Sequence, residues 1–145
     1  MAEVVQLKEN GELKFLKTHV KAVEGLEDVL KLFASSVEST PLWKGVSSLN
    51  SSHTVTPSKA LNKCQSGWLL VFAPYDTGAS STSNYDFTTL FVPKGKLGLY
   101  ITNIYTSNYT WTHKRADISN TKIVGHSSNV SGESLKNVLI EVWEV

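Results

Sequence analysis

Among 145 residues there is a single cysteine, Cys64, which excludes an internal disulfide framework and any cysteine-based zinc site. A lone thiol suits a protein made in a reducing cytoplasm. An excess of one charge is missing too. Fourteen basic against thirteen acidic side chains leave a formal charge of +1, so no long-range field steers the chain to nucleic acid or to an anionic membrane. Any partner must then be recognised by local contacts. There is no long apolar run either: residues 67–73 form the longest, far short of the ~20 residues that span a bilayer. Membrane insertion is not expected, and the protein reads as soluble. The first ten residues lack the basic start, apolar core and small-residue cleavage site of a signal peptide. With no secretion signal, the sequon matches at Asn50, Asn108 and Asn129 read as unmodified.

The signatures of catalysis are equally sparse. His19, His53, His113 and His126 are scattered without HxH or HExxH spacing, so neither a metal nor a cofactor is expected. Gly95-Lys96-Leu97-Gly98 lacks the spacing of a phosphate cradle. Cys64 has no neighbouring histidine to lower its pKa and reads as inert. Asp76 and Asp86 flank a Ser/Gly/Thr loop that is open to two readings: a calcium or acid-pair site, or a solvated loop whose acids cap its ends. The second is the commoner use of such residues. The expectation is a protein that is not an enzyme.

What the chain does contain falls into three parts. In residues 1–24, two apolar-polar runs flank Asn10-Gly11, a pair that supplies the positive φ angles of a tight hairpin turn. Such a hairpin is marginal alone. Over residues 25–40 a short helix is predicted. Val23, Leu26, Leu30, Phe33 and Val37 recur at the three-and-four spacing of a coiled-coil seam, Glu27 and Asp28 suit a first helical turn, and Pro41 ends the segment. The seam predicts a homotrimer contact, but about two heptads are too short to assemble unaided, so a head domain must contribute. The alternative is that the stripe packs on the protein's own sheet. Residues 41–145 are rich in Ser, Thr, Asn and aromatics. Strands are predicted at 42–49, 53–56, 67–74, 86–92, 97–102, 104–111, 122–126 and 137–145, with turn residues between them. Short strands without intervening helices imply a mainly β fold, an antiparallel β-sandwich or jelly-roll-like head. The last run is apolar on both faces apart from Glu141 and Glu144, as a central strand would be.

One run, residues 105–113, interleaves Tyr105, Tyr109 and Trp111 with short polar side chains. That mixture stacks on sugar rings and hydrogen-bonds their hydroxyls. The candidate saccharide site is therefore Trp111 and Tyr109 as stacking faces, Asn108 and His113 as polar partners, and Tyr75 and Asp76 on a rim formed by the loop 75–85. The alternative is a strand whose alternate aromatics fill the core or the trimer contact.

Leu42-Trp43-Lys44-Gly45, His53-Thr54-Val55-Thr56-Pro57-Ser58-Lys59 and the segment from Cys64 to Phe72 follow one another in order, then Phe91-Val92-Pro93-Lys94, the segment from Thr121 to Asn129, and Val138-Leu139-Ile140-Glu141-Val142. This series resembles a recurrent domain of tail, baseplate and fibre proteins of bacteriophages and prophages of Gram-positive bacteria. The opening from Gln6 to Val23 is similar to the anchors that precede such heads. The resemblance implies a trimeric tail component of the virion, in contact with other tail or baseplate proteins and with host cell-wall saccharide or teichoic acid. It leaves as alternatives a purely structural tail subunit and a tail-associated glycan hydrolase served by Asp76 and Asp86.

Overall fold

The computed structural model of the chain describes residues 8–9, 12–13, 40–105, 111–130 and 132–145. The predicted helix, the seam residues Val23, Leu26, Leu30, Phe33 and Val37, and the turn pair Asn10-Gly11 lie outside the described residues. The chain divides between Ser39 and Thr40 into two units, each described by itself. In the first, β1 (Lys8–Glu9) pairs antiparallel with β2 (Glu12–Leu13), Lys8 opposite Leu13. That is the pairing expected around Asn10-Gly11.

The second unit is mainly β and antiparallel throughout. Its strands are β3 (Trp43–Ser47), β4 (Thr54–Val55), β5 (Gly67–Asp76), β6 (Ser81–Thr82), β7 (Thr88–Pro93), β8 (Gly98–Tyr105), β9 (Trp111–Ile118), β10 (Ile123–Gly125) and β11 (Asn137–Glu144). Short 3-10 turns lie at Leu61–Lys63, Ser127–Val130 and Gly132–Lys136. One sheet runs β4-β10-β9-β8; the other runs β3-β11-β5, with β6 and β7 both pairing to β5. Alternation along each strand sends one row of side chains inward. From the first sheet come Val55, Ile104, Ala116, Ile118 and Ile123, and from the second Trp68, Leu70, Phe72, Val92, Leu139 and Val142, all in one buried cluster. Two sheets over one core make the β-sandwich-like head that the strand spacing predicted. Each large side chain so buried contributes about 1.5–3 kcal/mol.

β11 lies between β3 and β5, as its two-faced apolar pattern requires, with a register shift between Leu139 and Glu141. Gly125 marks a close approach. A Cβ there would collide with the backbone of Leu49 and Asn50, whose segment is tied to β10 by His126 N–H donating to the Leu49 carbonyl at 2.9 Å. Asn129 is fully buried: its amide donates to the carbonyls of Leu49 and Arg115 at 2.6 and 2.7 Å and accepts from the Arg115 N–H at 3.0 Å. That amide ties the segment after β10 to β9 and to the Leu49 loop.

One predicted strand is corrected. Residues 104–111 do not form a single strand: β8 ends at Tyr105 and β9 begins at Trp111, directly opposite one another in register. β9 continues to Ile118, a strand the sequence reading did not separate. The cause is chemical. No Gly or Pro punctuates the run, and Ser107-Asn108 is the sole turn signal among β-favouring Thr and Tyr residues.

Candidate functional site at the open end of the sandwich

β5 is ten residues long, and β7 covers it only from Gly67 to Phe72. Beyond that point its last residues form a separate hairpin with β6, Tyr75 opposite Thr82 and Asp76 opposite Ser81. The connecting turn is held by Asp76, whose Oδ1 accepts the N–H groups of Gly78 (2.8 Å) and Ala79 (3.2 Å), and by the left-handed Ser80 at φ 53°. An aspartate that bonds backbone two residues on is a common way to close such a turn. The chain returns with Ser83 N–H on the Pro74 carbonyl at 3.0 Å and reaches Tyr85, 56% exposed.

Facing this hairpin is the 3-10 turn Gly132–Lys136, which leads into β11 where Asn137 stands opposite Pro74. Together they enclose an open cleft of about 330 Å3 lined by Tyr75, Tyr85, Asp76, Thr77, Ser83, Pro74 and Lys136. Its volume lies at the small end of ligand pockets, about 300–1,000 Å3. Its lining combines two tyrosines with hydroxyls, a carboxylate and an ammonium that serve as directional polar groups. The Lys136 ammonium donates to Glu133 Oε1 at 2.7 Å, and the other Glu133 oxygen is buried without a hydrogen-bond partner.

Of the residues singled out by sequence, Tyr75 and Asp76 line this cleft. Trp111 and His113 stand at the start of β9. Trp111 is 71% exposed, so within this chain it is not a core residue, which leaves a saccharide face and the trimer contact as its two readings. His113 is half-buried, and its carbonyl accepts the Ser134 hydroxyl at 3.1 Å, from the same 3-10 turn that supplies Lys136. The end of the β8–β9 pair and the cleft thus share one end of the sandwich. Asn108 and Tyr109 lie outside the described residues. The sequence reading placed Tyr85 on the rim but missed Lys136, which arrives from a turn remote in the chain and carries no local signal. Asp86, proposed as the partner of Asp76, does not line the cleft.

Other polar groups prove structural. Asn50 Oδ1 accepts from the Ser52 N–H (3.0 Å) and hydroxyl (2.6 Å), which turns its Nδ2 toward His53 Nε2 at 3.4 Å. His53 Nδ1 lies 3.2 Å from Ser48 Oγ, so the ring is held between Asn50 and Ser48. Cys64 is buried beside the Ala60 carbonyl, and burial pushes its thiol pKa up, away from the reactive thiolate. Among the described residues no group of three or more His, Cys, Asp or Glu could hold a metal ion. No helix among them is long and apolar enough to cross a membrane.

Fold and site together define a β-sandwich-like head with an aromatic and polar cleft at one end. Comparison with protein-family models, with curated proteins and with solved structures finds no match to this chain.

Proposed function

We propose that this chain is a tail-tip, fibre or baseplate adhesin of a bacteriophage of a Gram-positive host, a homotrimer whose β head binds cell-wall saccharide without turning it over. The carrying observation is the cleft, in which Tyr75 and Tyr85 accompany Asp76, Thr77, Ser83 and Lys136. Phenol rings stack on the apolar faces of sugars while short polar groups reach their hydroxyls. The tail assignment rests on the ordered resemblance from Leu42 to Val142. A hydrolytic role is not favoured, because Asp76 is engaged in its turn and Asp86 stands away from the cleft wall.

The trimer is supported by the seam at Val23, Leu26, Leu30, Phe33 and Val37, and by the head's own surface. β8 is an edge strand of eight residues without charge or proline, and its outward Leu99 and Ile101 are exposed, as is nearby Leu97. Natural sheets blunt or cover such edges; a second copy, held close by the seam, supplies that cover. Threefold linkage turns a weak saccharide contact into useful avidity.

The test is binding of the purified full chain to isolated Gram-positive cell walls, with light scattering on the same sample. The expected result is a trimer that sediments with walls, and a Tyr85→Ala variant that keeps its melting temperature and loses about tenfold or more in binding. A well-folded protein that binds no wall preparation would instead indicate a purely structural tail subunit.

A further inference from the structure

The charge of the cleft narrows the ligand. Its walls contribute one carboxylate, Asp76, and one cation, Lys136. That cation is already engaged. Its ammonium sits 2.7 Å from Glu133 Oε1, and Glu133 Oε2 is buried with no hydrogen-bond partner. The pair is half-exposed, Lys136 at 44% and Glu133 at 32%, so breaking it costs little by itself, but a phosphate drawn to Lys136 would stand beside the Glu133 carboxylate. Lys136 is therefore already offset by Glu133, and counting that residue the cleft and its immediate support carry a net negative charge. A polyanion needs the opposite: several cations free to replace its counterions.

We infer, building on the saccharide reading above, that the ligand held between Tyr75 and Tyr85 is an uncharged glycan and not the polyol-phosphate chain of a teichoic acid. The two tyrosine rings take its apolar faces. Ser83 and Thr77 supply hydroxyls that donate or accept, Asp76 accepts, and Lys136 donates, a set matched to sugar hydroxyls and acetamido groups.

The experiment uses the full chain, Gram-positive cell walls, and the same walls stripped of polyol phosphate by acid extraction, with free polyglycerol phosphate as competitor. Binding to stripped walls is expected to be retained, to change by no more than about twofold between about 50 and 500 mM NaCl, to resist the competitor, and to fall in Tyr85→Ala. Binding lost on stripping, weakened by salt and competed by polyglycerol phosphate, with Tyr85→Ala still impaired on intact walls, overturns the uncharged ligand and leaves the cleft as the site. Binding to stripped walls that is indifferent to Tyr85→Ala overturns the cleft itself. No binding to either preparation overturns the saccharide reading, and this inference with it.

Discussion

The two ends of β5 are built on opposite plans. At its start, Gly67 exchanges backbone hydrogen bonds with Val145 at 2.8 and 3.0 Å, Lys94 N–H reaches the Ser66 carbonyl at 2.7 Å, and the buried Trp68 donates its indole N–H to the Lys59 carbonyl at 3.1 Å. Lys59 in turn donates to both oxygens of Glu144 at 2.6 and 2.8 Å, which with the Gln65 N–H holds that carboxyl pKa below its ordinary range. At the other end the polar groups are poorly matched. Glu133 has an unpartnered buried oxygen, both side-chain polar atoms of the buried Asn137 lack partners, and the Lys114 ammonium, 2% exposed, reaches the Ser48 carbonyl at 2.9 Å. Unsatisfied buried groups cost about 1–3 kcal/mol each. The closed end secures the sheet, and the open end carries the cleft. Sites commonly sit where loops on a rigid scaffold break local rules.

Breaking the closed end should have the largest effect. Trp68→Ala removes a fully buried indole and its hydrogen bond, with an expected loss of about 3–5 kcal/mol in chemical denaturation. A loss under about 1 kcal/mol would show that this end does not carry the fold.

The next effect, of opposite sign, lies at the open end. Burial lowers the Lys114 pKa from 10.5 to about 8. The unfolded chain therefore holds that proton more tightly than the folded one, and folding stability rises as pH climbs from about 8 towards 10.5. Below the folded value the charged, buried lysine costs about 3 kcal/mol relative to an unburied one. Lys114→Met should raise the melting temperature near pH 7 and abolish this alkaline gain, as followed by thermal unfolding across pH. An unchanged pH profile in the variant would assign the slope to other groups.

Smallest in stability, and sharpest for function, is Trp111→Ala. An indole 71% exposed should cost far less stability than the buried Trp68 does, about 1 kcal/mol or less. If the end of the β8–β9 pair extends the cleft, wall binding should fall with melting unchanged. Full binding by this variant would confine the site to the cleft.

Much of the architecture was legible because it depends on local pattern. Alternating β-branched and aromatic runs marked most strands, the two-faced apolar character of β11 marked a central strand, and the single isolated cysteine was read as inert. Asx-turn chemistry made Asp76 visible as a loop-closing residue. The boundary between β8 and β9 was not legible, since residues 106–110 contain no glycine or proline and Tyr and Thr, which favour strand, recur from Tyr105 to Thr112.

By itself the sequence determined the class of fold, the absence of a disulfide framework, and a tyrosine- and serine-bearing loop after the longest apolar strand. Only the tertiary structure decided that Lys136, some sixty residues downstream of Asp76, stands against that loop, that its charge is engaged by Glu133, and that Trp111 faces outward. Pairing of β11 with β5 carries those residues together, and such pairing is set by how two sheets bury a common core, a choice no local window of the chain contains.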